Sequence, residues 1–163
     1  MVKALVVGSF DPFTLGHEQL VSSALKIADE VHIVVAENVA KKYVFPLNTR
    51  IKAIKSLYAD ENIIVTSYSG LVAQYCEENN IGIIVKGIRN SFDFEYEKNM
   101  AIMNEKMCGV ETIFVTTKPH LQHISSTLVR EMLAFEKDIS EFVPSKTVKI
   151  LLEETKKDES NYE

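Results

Sequence analysis

The residues best suited to chemistry lie in one stretch near the start of the chain, Gly8–His17, which reads Gly-Ser-Phe-Asp-Pro-Phe-Thr-Leu-Gly-His. An apolar run at residues 4–7 precedes it and predicts a buried strand, and apolar residues at helical spacing follow it. Thr14 can cap that helix and leave His17 in its first turn, where unpaired backbone N–H groups and the positive end of the helix dipole meet. The stretch therefore predicts an anion site with phosphate as its natural occupant, and His17 adds a side-chain donor there.

A plainer interpretation of the same stretch stays open. Glycine-containing loops between a strand and a helix are common, and a histidine in a first turn can simply face water. Gly8 and Gly16 permit a close or unusual backbone path in either case. The two interpretations differ in whether other polar side chains gather around this loop.

Strand-like and helix-like patterns alternate along the rest of the chain. After the first strand, apolar runs at 31–36, 63–66, 81–85 and 112–116 predict four more strands, and amphipathic segments separate them. Such alternation favours an α/β fold: a single-domain, open five-stranded parallel sheet with helices on both faces, of Rossmann-like type. We expect this domain to span residues 1–157 and a charged, disordered tail to occupy residues 158–163.

Donor side chains follow the predicted strands at the points where the strands end. Parallel sheets bind ligands beyond those carboxyl ends, so side chains that follow different strands are expected to meet there. A cluster of cations and hydroxyls on a chain of net charge −5 suits a polyphosphate, although each basic residue taken alone could be a surface charge. The members are His17, Lys41, Lys86, Arg89, Arg130, Ser9, Ser125, Ser126 and Thr127.

Composition and motifs disfavour several other classes of function. The net charge of −5 gives the chain no general attraction to nucleic acid or to an anionic membrane. No apolar run is long enough to span a bilayer and no leader-like segment is evident, so we expect a cytoplasmic protein. Cys76 and Cys108 are expected to be core residues. The sequence has no nucleophile elbow, Walker motif, dinucleotide fingerprint or zinc-type histidine spacing, and we assign no metal ligand.

With these motifs in view, the chain resembles the pantetheine-phosphate adenylyltransferases, whose signature is Gly-x-Phe-Asp-Pro-x-x-x-Gly-His. That signature alone indicates only the wider nucleotidyltransferase superfamily, and Asp93–Glu97 together with Ile124–Thr127 makes the resemblance more specific. The supporting segments, in the family's order, are Gly8–His17, Lys41-Lys42, Gly87–Arg89, Asp93–Glu97, Met103-Asn104 and Ile124–Thr127.

The resemblance implies an enzyme of coenzyme A biosynthesis. Such an enzyme transfers the adenylyl group of ATP reversibly to 4'-phosphopantetheine and yields dephospho-coenzyme A and pyrophosphate, with Mg²⁺. The acceptor phosphate attacks in line and no covalent enzyme intermediate forms. The resemblance further implies a homohexamer and possible feedback by coenzyme A.

The resemblance also implies roles for individual residues. His17 and Lys41 are the catalytic residues, at the α-phosphate and at the pantetheine phosphate. ATP is bound by Ser9, Phe10, His17, Gly87, Ile88, Arg89, Glu97, Gln122, His123, Ile124, Ser125, Ser126, Thr127 and Leu128. The acceptor substrate is bound by Ser9, Lys41, Val72, Lys86 and Asn104.

Three positions depart from the family pattern. Ser9 stands where Thr is usual and keeps the hydroxyl, whereas Lys86 stands where Arg is usual and loses the planar fork that binds phosphate in a bidentate manner. The segment 121–123 lacks the aromatic character often found there, and substitutions in it can alter affinity without altering the chemistry.

Two rival functions stay open at this point. A nucleotidyltransferase with another phosphorylated acceptor, such as nicotinate mononucleotide or glycerol 3-phosphate, would share the Gly–His motif. A non-catalytic sensor of adenine nucleotides would bind ATP and release no pyrophosphate, although the presence of both His17 and Lys41 disfavours it.

Overall fold

The alternation predicted from the sequence is present in the structure, a computed structural model that describes residues 1–160. Within these residues, five parallel strands form one sheet: β1 (Lys3–Gly8), β2 (Glu30–Ala36), β3 (Ile63–Tyr68), β4 (Ile83–Ile88) and β5 (Glu111–Thr116). Their order across the sheet is β3-β2-β1-β4-β5. The prediction of an open five-stranded parallel sheet is confirmed.

Helices connect the strands and continue after the last one. In the described part of the chain they are α1 (Leu15–Ala24), α2 (Leu47–Lys55), α3 (Val72–Asn79), α4 (Ser91–Cys108), α5 (Ser126–Ala134) and α6 (Ser145–Ser160). A short 3-10 turn, Pro119–Leu121, lies between β5 and α5.

The central strands send alternate side chains to two cores, one on each face of the sheet. Val6 of β1 packs with Val21 of α1 and Ile54 of α2. Leu5, its neighbour in the chain, packs with Tyr75 of α3 on the opposite face. Helices therefore cover both faces, as the predicted fold class requires.

The two cysteines belong to the core on the α3 side. Cys76 is buried there, and Cys108 packs against the same cluster, so the expectation of core cysteines is confirmed. Desolvation, with a smaller effect of the neighbouring Cys108 thiol, raises the pKa of Cys76 to about 12. A thiol with so high a pKa is a poor nucleophile near neutral pH.

The predicted start of the fourth strand is two residues too early. The N–H of Ile81 bonds to the carbonyl of Cys76 at 2.9 Å and so closes the end of α3, where Asn80 takes the left-handed conformation with a φ of 54°. Strand β4 begins at Ile83 and continues to Ile88, so residues 86–88 belong to the strand and not to a loop after it.

Helix α4 is longer than the predicted span of about 93–107. It begins at Ser91 because the side chain of Asn90 accepts the N–H of Asp93 at 2.9 Å and caps the first turn. It ends at Gly109, whose φ of 72° suits glycine at a helix terminus.

A third hydrophobic cluster joins the segment before α2 to the last two helices. Its buried members are Phe45, Val129, Ile139, Val143 and Leu151. Phe45 is only 1% exposed, so this cluster holds the chain in place just before α2.

The end of the chain leaves one prediction open. Helix α6 runs to Ser160, and residues 161–163 lie outside the described part of the chain, so the predicted disordered tail at 158–163 stays a prediction. Among the described residues, none of the helices combines the length and the apolar character needed to cross a membrane.

Two adjacent leucines of α6 test the third cluster. We expect Leu151→Ala to lower the free energy of unfolding by about 3 kcal/mol, because the side chain is fully buried and its loss leaves a cavity. Leu152→Ala, whose parent side chain is 38% exposed, should lower it by less than about 1 kcal/mol. Urea denaturation of both variants measures the difference, and equal losses would contradict this packing.

Candidate active site

A cavity of about 510 Å³ opens at the carboxyl ends of β1 and β4. These strands are neighbours in the sheet although β2 and β3 lie between them in sequence, so the direction of strand addition reverses there. Open parallel sheets bind ligands at such a switch point. Val7 and Gly8 of β1 and Lys86 and Gly87 of β4 contribute to the wall.

The cavity brings together ten of the residues proposed from the sequence, drawn from both ends of the chain. They come from the segment after β1, from α1, from β4 and the residue that follows it, from α4, and from the segment that leads into α5 and the start of that helix, and these parts meet at this edge as the predicted fold requires. The ten are Phe10, His17, Lys86, Gly87, Arg89, Glu97, Ile124, Ser125, Ser126 and Thr127.

Eight other residues of the ATP and acceptor sets are absent from the wall of this cavity. They are Ser9, Ile88, Gln122, His123 and Leu128 of the ATP set, and Lys41, Val72 and Asn104 of the acceptor set. Their roles in binding stay predictions.

The residues outside the cavity wall are either exposed to solvent or packed within other parts of the fold. Lys41 is exposed on the loop of residues 37–46, the β2–α2 loop. Asn104 is buried within α4, and Val72 packs against the core on the α3 side. Gln122 and His123 are exposed, and the Gln122 amide donates to the carbonyl of Thr117 at 3.3 Å.

Several lining residues were not assigned to the ATP or acceptor set from the sequence. Asp93 and Tyr96 are the clearest cases, because helical spacing places Asp93 on the same face of α4 as Glu97, four residues later. That spacing was visible in the sequence, where Asp93–Glu97 served only as a family motif. The added lining residues are Val7, Gly8, Thr14, Gly16, Leu20, Phe92, Asp93, Tyr96 and Thr117.

His17 is held as a neutral hydrogen-bond donor. The backbone N–H of Thr14, the N-cap of α1, donates to His17 Nδ1 at 3.0 Å, so the proton of the neutral ring lies on Nε2. Desolvation, followed by the positive charges of Arg89 and Lys86, lowers the pKa of His17 to about 4. The aromatic rings of Phe10 and Phe13, centred 5.0 and 5.4 Å from the imidazole, contribute to that dry environment.

The unusual backbone conformation of the β1–α1 loop, residues 9–14, falls on Phe10 and not on a glycine. Phe10 has a φ of +48°, in the left-handed region that non-glycine residues rarely adopt. Its ring is buried and lies against Gly8, where an added Cβ would come within 3.2 Å of Phe10 Cε1. Gly8 therefore provides close approach, which was one of the two uses that the sequence allowed.

Side-chain donors hold the β1–α1 loop by its carbonyl oxygens. The three bonds are Arg50 Nη1 to Ser9, Ser126 Oγ to Pro12 and Arg130 Nη1 to Asp11, at 2.9, 2.8 and 2.8 Å. The donors come from α2 and α5, so the loop takes its shape from elements far away in sequence. Arg130, a member of the predicted cationic cluster, acts here on the backbone of the loop.

The cations of the cavity already have carboxylate partners. Lys86 Nζ lies 3.3 Å from Glu97 Oε2, and Arg89 Nε lies 3.0 Å from Asp93 Oδ2. A second guanidinium nitrogen of Arg89, Nη1, donates to the carbonyl of Ile124 at 3.4 Å, which joins the connection between β4 and α4 to the segment before α5. Two cations and a neutral imidazole donor thus face one cavity, an arrangement suited to oxygen atoms of phosphates.

Known proteins resemble this chain over most of its length. The cytidylyltransferase-like family model matches residues 5–132. A phosphopantetheine adenylyltransferase from Arthrobacter sp. strain FB24 is 42% identical over 93% of this chain and 97% of its own length. One from Bacteroides thetaiotaomicron is 44% identical over 88% of this chain and 96% of its own length.

The chain belongs to the phosphopantetheine adenylyltransferase family. A solved structure of a Vibrio parahaemolyticus protein, provisionally described as a nicotinate-nucleotide adenylyltransferase, shares the fold with a TM-score of 0.66 at 22% identity, over 94% of this chain and 93% of its own. The family expected from the sequence is therefore confirmed, and so is the nucleotidyltransferase type of the fold.

Lys86 stands where the resemblance led us to expect Arg, and the structure shows what its side chain contacts. The ammonium group of Lys86 contacts Glu97 and also lies 3.5 Å from the carbonyl of Val7. It keeps the positive charge at the cavity but presents a single nitrogen, where a guanidinium would present a planar fork.

The low pKa of His17 should be visible in protein stability. Its pKa is lower in the folded chain, at about 4, than the ordinary value of 6.5, so the unfolded chain binds more protons between these pH values. We expect the free energy of unfolding to fall as the pH drops through this window, by up to about 3 kcal/mol more than in His17→Asn. Asn keeps an acceptor for the Thr14 N–H but does not titrate.

Urea denaturation of both proteins at several pH values measures this difference. The other three histidines are present in both proteins, so their contributions cancel. Parallel stability curves would show that His17 titrates normally.

Proposed function

We propose that the chain transfers the adenylyl group of ATP reversibly to 4'-phosphopantetheine and yields dephospho-coenzyme A and pyrophosphate. The name of its relatives, which match over most of the chain, supports this substrate pair. The observation that carries the chemistry is the neutral His17, with its proton on Nε2, at a cavity that also holds Lys86 and Arg89.

The reaction needs alignment and charge stabilisation more than it needs a base. The phosphate of 4'-phosphopantetheine is largely ionised near neutral pH, so one of its oxygens attacks the α-phosphorus of ATP directly. A new P–O bond forms in line as the α–β phosphoanhydride bond breaks, and pyrophosphate leaves. No covalent enzyme intermediate is required, and the protein supplies orientation and donors for the developing charge.

His17 donates from Nε2 to an oxygen on the α-phosphorus as charge builds up there. Because the Thr14 N–H occupies Nδ1, the ring cannot turn without losing this bond, so the donor is oriented before the substrate binds. A donor that needs no reorganisation during the reaction is the kind that lowers a barrier most.

ATP is bound between α4 and the start of α5. Arg89 binds its phosphates, and the segment Ile124–Thr127 surrounds the nucleotide at the N-terminus of α5, where Ser125 is the N-cap. The positive end of this helix favours the phosphates. We propose that the remaining residues of the ATP set also contact the nucleotide. They are Ser9, Ile88, Gln122, His123 and Leu128.

The acceptor lies toward β3 and the β2–α2 loop. Lys41 holds its phosphate together with Lys86 and Ser9, while Val72 and Asn104 contact the pantetheine arm. Lys41 stands on a loop that Asp11 fastens to the β1–α1 loop through the N–H groups of residues 44 and 45, at 2.9 and 2.8 Å.

Mg²⁺ is the proposed cofactor. It commonly reaches nucleotide sites through one or two carboxylates together with substrate phosphates, and Asp93 and Glu97 are the carboxylates in the cavity wall. These two residues would hold the ion, and its charge would assist the departure of pyrophosphate.

We also propose a homohexamer in the cytoplasm that coenzyme A inhibits. Met100, Met103 and Met107 share one face of α4 and are 42%, 57% and 47% exposed, which supports contact with further copies of the chain. Coenzyme A differs from the product only by one phosphate group, which supports binding in the same cavity. Sedimentation velocity measures the assembly, and a monomer would contradict it.

Pyrophosphate release tests the function itself. We expect release from ATP and Mg²⁺ only when 4'-phosphopantetheine is present, with dephospho-coenzyme A as product, and loss of release when the metal is chelated. Release with nicotinate mononucleotide or glycerol 3-phosphate instead would keep the chemistry and reject the acceptor. ATP binding without release under any condition would leave only the sensor function.

The His17→Asn variant tests the donor role. We expect kcat to fall about 100-fold to 1,000-fold, as when one donor to a developing oxyanion is removed, because Asn retains the bond to Thr14 but cannot reach the α-phosphate. The affinity for ATP, measured by calorimetry, should change little. A folded variant with near-normal turnover would remove His17 from the mechanism.

A further inference from the structure

We propose that Arg50 is a positioning residue for the acceptor half of the reaction. Through its guanidinium group it fixes the β2–α2 loop, and with it Lys41, against the β1–α1 loop. This inference deepens the proposed function and rests on it for the role of Lys41. It assigns a task to a buried charge that neither the sequence motifs nor the cavity wall had identified.

Arg50 is a buried cation whose hydrogen-bond partners are backbone oxygens. Arg50 is only 3% exposed. Among the side chains of residues 1–157, no carboxylate forms an ion pair with it. Its Nε donates to the carbonyl of Phe45 at 3.0 Å, and its Nη1 donates to the carbonyl of Ser9 at 2.9 Å. Because a buried charge is costly unless its donors are satisfied, both carbonyls are held where the guanidinium needs them.

Asp11 holds the same segment from the opposite direction. Its two carboxylate oxygens accept the N–H groups of Val44 and Phe45 at 2.9 and 2.8 Å. Phe45 therefore donates to Asp11 and accepts from Arg50, so both ends of this residue are fixed to charged groups. Two buried charges of opposite sign are each satisfied by backbone, and together they lock the β2–α2 loop onto the β1–α1 loop.

Tyr43 carries this constraint toward Lys41. The guanidinium carbon of Arg50 lies 4.0 Å from the centre of the Tyr43 ring, and the Tyr43 hydroxyl accepts the N–H of Asn38 at 2.8 Å. The N–H of Lys41 donates to the carbonyl of Asn38 at 3.0 Å. Arg50 is thus connected to the backbone of Lys41 through Tyr43 and Asn38.

Only arginine supplies this combination of contacts. The planar fork presents Nε and Nη1 in a fixed geometry to two carbonyls, while its face stacks on the Tyr43 ring. A lysine at position 50 would keep the buried positive charge but could neither stack as a plane nor bond both carbonyls in this geometry. The Arg50→Lys substitution therefore separates the positioning function from the charge.

The first measurement is tryptic cleavage after Lys41 and Lys42, which are both exposed. We expect Arg50→Lys to be cleaved there faster than the unsubstituted protein, by about tenfold, because cleavage follows the population of the opened loop. Tyr43→Leu removes the stacking and the Asn38 contact without disturbing the buried charge, and it should have the same effect. Lys52→Gln, an exposed position on the same helix, is the matched control and should cleave normally.

The second measurement separates the two substrates. In Tyr43→Leu, which leaves the Arg50 bond to the Ser9 carbonyl in place, we expect the KM for 4'-phosphopantetheine to rise about tenfold, while the dissociation constant of ATP stays within about twofold. A merely structural role would change both by the same factor. That result, or unchanged cleavage in both variants, would overturn the assignment.

The two measurements also keep this inference apart from the proposed function. If the unsubstituted protein makes no dephospho-coenzyme A, the proposed function fails and the acceptor role of Arg50 fails with it. Faster cleavage in the variants would in that case still show that Arg50 holds the β2–α2 loop, since proteolysis does not depend on activity.

Discussion

The geometry of this site depends on hydrogen bonds from side-chain donors to backbone carbonyl groups of the β1–α1 loop. Three carbonyls of the β1–α1 loop are bonded from outside by Arg50, Ser126 and Arg130. The partners in these pairs are separated by 41, 114 and 119 residues, so the loop cannot take this shape on its own. With its carbonyls held elsewhere, the loop places Phe10 and Thr14 around His17, and the cavity forms where β1 and β4 meet.

One hydrogen bond connects helix capping to chemistry. The Thr14 N–H is one of the donors that the start of α1 would otherwise leave unpaired, and His17 Nδ1 satisfies it. The same bond determines which nitrogen of the ring carries the proton. The surrounding aromatic rings and the nearby cations keep the imidazole neutral, so the stability of the helix start and the readiness of the donor have a common origin.

The sequence was informative where local pattern determines structure. Alternating apolar runs predicted the sheet and the edge where ligands bind, and Thr14 was identified as the cap that leaves His17 in the first turn. The pattern could not show that Ile81 closes α3 rather than starting β4, because that depends on a bond to Cys76. Nor could it reveal Arg50, which in sequence is one basic residue among others on a helix. Its role arises from contacts with residues 9 and 45, which only the folded chain brings within reach.

The paired charges of the cavity have a consequence for selectivity. Lys86 and Arg89 are neutralised within the protein by Glu97 and Asp93, so an incoming anion has to replace a carboxylate rather than fill an empty place. A ligand with a single carboxylate would exchange one contact for an equivalent one and gain little. A ligand with several phosphate charges would gain more, because it brings more negative charge to the two cations than the carboxylates that it replaces. The carboxylate partners of Lys86 and Arg89 therefore favour polyphosphates over monoanions as ligands of this cavity.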